Sequence, residues 1–331
     1  MSFKDVMGHE RPINLLQRAI AQEKVVHSYL FLGSEGIGKS LVALQFAKAL
    51  NCLEGENRVD GCDRCSSCKK IDHLLHPDVS LIEPEGQTLK IEQVRQMQRT
   101  LAYRPYEGRR RIVILTAADR MAHDIPNTLL KTLEEPPLHT VIILLANNSR
   151  FILPTILSRC QSIRFNPLTS HFVSDWLMKE KGLEENEARL LASLSEGSPG
   201  KALEIKEEIA GIPRKDHLKG WVGAKSLSLE EKEGWVESLP SQRESLRLIL
   251  EMAKTLLRDI VVMKTSMEGK GEGSRLIHSD LAEELEEIAG KWSLHSLLKR
   301  MEILHQTSQA IRGNANTRLS LEAMMLSWAE G

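Results

Sequence analysis

The chain has 331 residues, which at about 150 residues per domain suits two or three domains and is ample for a sizeable core. Hydrophobic residues at 41% and charged residues at 27% exclude a disordered chain, and scarce aromatics (4%) with abundant Leu, Ala, Glu and Lys lean towards helix. Lys plus Arg (44) against Asp plus Glu (45) gives a formal net charge of −1, so no chain-wide basic field holds a nucleic acid, and any such contact needs a local patch. The opening residues 1–10 lack the apolar run of a signal peptide, and no stretch approaches the roughly 18 apolar residues of a membrane span; a cytoplasmic chain with no membrane partner is expected.

Ser28–Leu32 reads as a strand, and Gly33-Ser34-Glu35-Gly36-Ile37-Gly38-Lys39-Ser40 follows it directly. This fits Gly-x-x-x-x-Gly-Lys-Ser/Thr: the glycines let backbone N–H groups turn onto phosphate oxygens, Lys39 reaches the terminal phosphates, and the Ser40 hydroxyl ligates Mg²⁺. Lys39–Leu50 then reads as a helix with Leu41, Leu44, Phe46, Ala47 and Leu50 on one stripe. Strand, loop and helix in that order mark Gly33, Gly36, Gly38, Lys39 and Ser40 as an ATP-phosphate site. The alternatives are a glycine turn that merely starts a helix, and an inherited loop that no longer binds nucleotide.

Four of the five cysteines crowd into the next segment, Cys52, Cys62, Cys65 and Cys68, with spacing C-x₉-C-x₂-C-x₂-C. In a reducing compartment such a cluster is a metal site rather than a disulfide framework. Two close steps place thiolates on a tight knuckle and the helix end supplies the fourth ligand, giving a closed structural Cys₄ zinc site with no open position for catalysis. An iron–sulfur cluster or a redox pair is the alternative. His73 and His76 are read as surface residues.

Further strands are expected at Val79–Ile82, Arg111–Leu115, Thr140–Leu145 and Ser162–Phe165, and helices at Ile91–Tyr103 and Asn127–Glu134, the latter with Asp124 as cap, Pro126 near its first turn and Pro136-Pro137 as its stop. This alternation is the pattern of an α/β fold with parallel strands. ATP hydrolysis needs an acidic pair at the end of a neighbouring strand. After Arg111–Leu115 that position holds Thr116-Ala117, and Asp119 is read as a surface or capping residue, so no hydrolysis by this chain alone is expected. Beyond Asn166-Pro167 nearly everything has helical periodicity, with a break at Gly197-Ser198-Pro199-Gly200 and a glycine-rich loop over Met267–Ser274. Trp176, Trp221, Trp235, Trp292 and Trp328 are read as core anchors of these helices.

Lys90, Arg95, Arg99, Arg104, Arg109, Arg110 and Arg111 stand against only Glu92 and Glu107, a local positive excess. It reads either as a phosphate-tracking nucleic-acid surface, without aromatic interleaving for single-strand stacking, or as a solvated helix face.

Asn127-Thr128-Leu129-Leu130-Lys131-Thr132-Leu133-Glu134-Glu135-Pro136-Pro137 and Thr155-Ile156-Leu157-Ser158-Arg159-Cys160 resemble the bacterial clamp-loader ATPases of the AAA+ class. The opening Phe3–His9, the segment Arg104–Arg110, Gly197–Leu203 and Asn314–Glu322 are similar to the same family, so the resemblance covers nearly the whole chain. It implies an α/β AAA+ P-loop domain over 1–166 with a Cys₄ module at 52–68, a small helical lid domain over 167–207, and an all-α collar domain over 208–331 that joins subunits. The implied assembly is a hetero-pentamer with tau/gamma motor subunits and delta that opens the sliding clamp and loads it on primed DNA. In such a ring the arginine of Ser-Arg-Cys is offered in trans to ATP on the adjacent subunit, and Arg159 holds that position; a guanidinium fork there neutralises charge on the transferred phosphate. Without the family, Arg159 reads as a structural arginine paired with a local carboxylate.

Asn147 and Asn148 match the polar position that senses the γ-phosphate in relatives, with turn formation as their other role. The implied DNA-tracking residues are Arg95, Arg99, Arg104, Arg109 and Arg110. Two departures, Thr116-Ala117 and Gly200-Lys201 where the motors carry an arginine, fit a rigid partner rather than a motor. An ATP-hydrolysing motor subunit or DNA-remodelling ATPase is the alternative, and a zinc-dependent DNA-binding adaptor the third reading.

Overall fold

The computed structural model describes residues 2–54, 59–86, 88–122, 125–209, 221, 228–267 and 276–330. The chain divides into two compact units, Met1–Leu168 and Thr169–Gly331. Among the described residues of the first unit, β1 (Ser28–Leu32), β2 (Val79–Ile82), β3 (Arg111–Leu115), β4 (Thr140–Ala146) and β5 (Gln161–Arg164) form one sheet in the order β2-β3-β4-β1-β5. Every neighbouring pair is parallel. Around it lie α1 (Glu10–Ala21), α2 (Lys39–Asn51), α3 (Ser66–Asp72), α4 (Ile91–Leu101), α5 (Ile125–Glu134) and the single turn α6 (Pro154–Leu157).

The strands read as unbroken apolar runs because both faces of the sheet are covered. On one face Tyr29 and Phe31 of β1 share a core with Leu16 of α1 and Val42 and Phe46 of α2. On the other, Leu30 and Leu32 join Val94 and Met97 of α4 and Leu129 and Leu133 of α5. Each such large side chain withdrawn from water contributes about 1.5–3 kcal/mol. At the β5 edge only Ile163 is buried. α2 is buried on most of its sides rather than along one stripe, with Leu41 and Leu44 packed only partly. The loops after β1, β3 and β4 leave the sheet at one common end, the carboxyl end of its strands, where open parallel sheets bind their ligands.

Within the second unit, α7 (Ser170–Lys181), α8 (Glu185–Leu194) and α9 (Pro199–Ile209) come first, followed by α10 (Leu229–Ser238), α11 (Arg243–Met267), α12 (Ala282–Lys291), α13 (Leu294–Arg312) and α14 (Thr317–Glu330). Local chemistry sets the ends: Thr169 caps α7 by accepting the Phe172 N–H, left-handed Gly182 closes it, and Ser228 with Glu231 forms a capping box on α10. The core of α10–α14 holds Trp221 and Trp328 buried, with Trp235 and Trp292 partly buried against it, while Trp176 is half-buried on α7. Arg300 lies 4.2 Å over the Trp292 ring and donates to the Trp328 carbonyl at 3.0 Å, tying α13 to α14.

The expected strands are present with small shifts: β4 runs one residue further, to Ala146, and β5 lies one residue earlier than Ser162–Phe165. α4 stops at Leu101, two residues short of Tyr103, and α5 begins two residues early, at Ile125. The Asp124 cap and residues 268–274 of the glycine-rich loop lie outside the described residues. No helix among the described residues is long and apolar enough to cross a membrane.

Candidate functional site

The phosphate loop spans the gap from the end of β1 to the start of α2. Gly38 (φ +109°) and Gly36 (φ +70°) take left-handed conformations that let the loop fold back over the helix end. At Gly33 a Cβ would lie 2.6 Å from the Phe165 carbonyl oxygen, so that glycine serves contact with the chain leaving β5. Lys39 is 8% exposed, and its ammonium donates to the Gly33 carbonyl at 2.5 Å, the Ser34 carbonyl at 2.8 Å and Asn147 Oδ1 at 3.0 Å. Burial pushes its pKa down to about 8 against the pull of Asp119 and Glu35. Ser40 is exposed one residue into α2, where helix-terminal N–H groups favour an anion.

A residue the sequence reading left without a role braces this loop. His9 is buried, sits at φ +61°, contacts Phe165 edge-on at 5.0 Å, and places Nε2 2.8 Å from the Ile37 carbonyl. Its pKa is lowered chiefly by burial.

Where an acidic pair would stand, Thr116 and Ala117 leave β3, and Ala117 is left-handed at φ +51°. Asp119 caps the end of β4: one oxygen accepts the N–H groups of Asn147 at 3.1 Å and Asn148 at 3.3 Å. The two asparagines point to different tasks. Asn147 reaches Lys39, whereas the Asn148 side chain accepts from the Arg150 N–H at 2.9 Å and caps the turn Ser149–Phe151. The polar contact to the phosphate loop therefore falls to Asn147 rather than Asn148.

Arg159 lies at the opposite end of the sheet. It precedes β5, whose first residue Gln161 is in register with Tyr29, and its carbonyl accepts the Ser28 hydroxyl at 2.6 Å at the start of β1. The phosphate loop begins after Leu32, about 13 Å along β1 at a rise of about 3.3 Å per residue. The guanidinium is part-exposed, pairs with Glu134 at 2.5 Å and donates to the Thr155 carbonyl at 3.0 Å. The local carboxylate pairing considered from sequence is present.

All four Sγ atoms of Cys52, Cys62, Cys65 and Cys68 lie within 4.8 Å of one another. Cys65 caps α3 and Cys52 directly follows α2, so two helix ends hold the knuckle. Four convergent sulfurs fit a tetrahedral, thiolate-loving ion such as Zn²⁺, and leave no open ligand position. Beneath them Lys48, fully buried, pairs with Asp63 and with both oxygens of Asp72 at 2.9 Å. His73 is exposed, but His76 is buried and not a surface residue: its Nδ1 accepts the Asp78 N–H at 3.1 Å in the turn before β2, and burial lowers its pKa.

The basic stretch is less uniformly free than its composition suggests. Arg111 is buried on Asp78 at 2.9 Å, and Lys90 pairs with Glu85 at 2.8 Å. Arg95 and Arg99 are exposed one turn apart on α4, Arg104 and Arg109 are exposed on the following loop, and Arg110 is half-buried. That loop also carries Tyr103 and Tyr106, 73% and 83% exposed, so aromatics do interleave with the arginines, contrary to the sequence reading. Lys201, beside Gly200, is engaged with Glu196 at 3.0 Å.

A family model described as DNA polymerase III, delta subunit, matches residues 8–169, and one described as DNA polymerase III, delta subunit, C terminal, matches residues 227–330. The chain is 28% identical to DNA polymerase III subunit delta' of Bacillus subtilis (strain 168), over 97% of this chain and 96% of that one. It is 27% identical to DNA polymerase III subunit tau of the same organism, over 98% of this chain and 61% of the relative. Among solved structures, a DNA polymerase III gamma-subunit-related protein of Thermotoga maritima aligns over 96% of this chain and 99% of its own, at 21% identity and a TM-score of 0.47.

Proposed function

The chain belongs to the DNA polymerase III delta-subunit family, the clamp-loader subunits, and from that premise we propose that it is the delta-prime-type member of the loader. It works in a hetero-pentamer with tau/gamma motor subunits and delta, loading the sliding clamp onto primed DNA. It hydrolyses no ATP of its own, and it supplies Arg159 in trans to ATP on a neighbour. The lid and collar boundaries expected at 167–207 and 208–331 belong to the same reading, as do Zn²⁺ in the Cys₄ module and DNA tracking by Arg95, Arg99, Arg104, Arg109 and Arg110.

The observation that carries this reading is the position of Arg159. It stands at the amino end of β1 and β5, a strand's length from its own phosphate loop, so a phosphate it neutralises belongs to another chain. Glu134 holds the guanidinium part-exposed and ready for exchange onto a stronger anion. Thr116-Ala117 supports the absence of hydrolysis, since no carboxylate leaves β3 directly to hold Mg²⁺ and position water.

DNA-dependent ATP turnover by the reconstituted loader tests it. The isolated chain is expected to be inert, and Arg159→Ala to lower turnover of the complex by about 10³-fold or more. An unimpaired mutant complex refutes the finger. Hydrolysis by the isolated chain supports the second reading, a motor subunit, which the complete phosphate loop from Gly33 to Ser40 favours.

A further inference from the structure

Asn51 sits between the cysteine module and the loop that presents the exposed tyrosines. It is the last residue of α2, directly before Cys52, and 1% exposed. Its backbone carbonyl accepts the hydroxyl of Ser67, which lies between Cys65 and Cys68, at 2.7 Å. Its side chain grips Arg110 at both backbone groups: Nδ2 donates to the carbonyl at 2.9 Å, and Oδ1 accepts the N–H at 2.9 Å. Gly108 packs so closely here that a Cβ would lie 3.1 Å from the Asn51 amide. A second tie runs from α3, where Lys70 donates to both carboxylate oxygens of Glu107 at 2.8 and 2.7 Å.

Residues 104–110 have no helix or strand of their own, so their shape depends on such ties to their backbone. On the far side Asp78, directly before β2, accepts the N–H groups of Tyr106, Glu107 and Gly108. The loop is thus held by two separate anchors, one of them built into the metal site.

We propose that metal binding at Cys52, Cys62, Cys65 and Cys68 sets the geometry of the 104–110 loop, with Asn51 as the positioning residue that transmits it. A bound ion would join Cys52, at the end of α2, to Cys65 and Cys68, at the start of α3, and these cysteines flank the Asn51–Ser67 hydrogen bond on both sides. Closing the module fixes the end of α2, and the Asn51 amide carries that fixed point to Arg110. The ion therefore does more than stabilise its own knuckle: it stiffens a surface that displays Tyr106, Arg104 and Arg109.

Hydrogen–deuterium exchange of the full chain, zinc-loaded and chelator-stripped under reducing conditions, tests this on peptides covering 52–72, 104–111 and β4. Stripping is expected to speed exchange in 52–72 and, by about tenfold, over 108–111, with β4 unchanged. Asn51→Ala, with its zinc content confirmed, should reproduce the faster exchange over 108–111 while metal is bound, and stripping should then add much less there than in the unaltered chain, the Lys70–Glu107 tie being what remains. Faster exchange confined to 52–72, or an Asn51→Ala chain as protected as the original over 108–111, overturns the proposal. Stripping that unfolds the whole unit, seen as faster exchange in β4, also overturns the proposal, since the ion then holds the domain and not this loop in particular.

Discussion

Asp78→Asn is the most demanding test of how the first unit holds its surface. The carboxylate is fully buried just before β2. Oδ1 accepts the Tyr106 N–H at 2.7 Å and Arg111 Nη2 at 2.9 Å, and Oδ2 accepts the N–H groups of Glu107 and Gly108, both at 2.8 Å. An asparagine keeps one acceptor oxygen and turns an NH₂ group towards the other two donors. Two donors are then stranded, and Arg111, itself 8% exposed, loses its counter-charge. A stranded buried donor costs roughly 1–3 kcal/mol, and breaking a buried ion pair by removing one partner about 3–5 kcal/mol. These overlap, so the expected loss is about 3–5 kcal/mol, a large fraction of a typical total stability of about 5–15 kcal/mol. Urea unfolding read through the exchange of β1 and β4 amides isolates the first unit, and a loss below about 1 kcal/mol would refute the reasoning. The pH dependence gives a second check. Burial acts to raise the Asp78 pKa, but the N–H groups of Gly108, Tyr106 and Glu107, with Arg111, outweigh it and hold the group below the usual carboxylate range. Because the folded value lies below the unfolded one, near 3.9, the contribution is complete above that pH and is lost as pH falls through the folded value. The two proteins should differ fully at neutral pH and converge in strong acid.

Lys39, lowered to about 8, should make nucleotide affinity fall about tenfold per pH unit above 8, measured by calorimetry, while Lys39→Arg removes that slope; a flat profile for the unaltered chain would sink the assignment. In the nucleotide-free chain the sign reverses: the unfolded lysine stays protonated to about 10.5, so this group raises stability as pH climbs from 8. Gly33→Ala sets a Cβ 2.6 Å from the Phe165 carbonyl oxygen and should cost about 1–3 kcal/mol in thermal or urea unfolding. Gly234→Ala, inside α10 with open space around it, should instead gain about 0.5–1 kcal/mol, and equal effects at the two sites would contradict the packing argument.

What the sequence made legible follows from which forces are local. β1 and β3 match their apolar runs residue for residue, since covering both faces of a parallel strand leaves a pattern no loop imitates. The meeting of the four cysteines was equally legible in their spacing, and their Sγ atoms lie within 4.8 Å of one another. The misjudged points depend on partners distant in the chain. α4 ends at Leu101 as Arg111 Nη1 takes the Thr100 carbonyl at 2.6 Å and Nη2 the Arg104 carbonyl at 3.1 Å, contacts no helical period announces. His76 and Arg111 look like surface groups until Asp78 is buried beside them. Asn147 and Asn148 are indistinguishable as letters, but successive residues leaving a strand face opposite ways, so one meets Lys39 and the other caps a turn.

The two ends of one sheet also explain why a missing acidic pair and a retained arginine are compatible. The groups that would hold this chain's own nucleotide, from Gly33 to Ser40 with Asn147, gather where β1 and β4 end. Arg159 and Glu134 gather where β1 begins. In the proposed ring, a head-to-tail arrangement would bring one chain's carboxyl end to the next chain's amino end, and each site would draw its loop and its arginine from different chains. Thr116 and Ala117, standing where that reading wants an acidic pair, then bear only on the site built on this chain's loop. On the proposed reading Arg159 belongs to the other end of the subunit, so its role toward a neighbour does not depend on the chemistry of the local site.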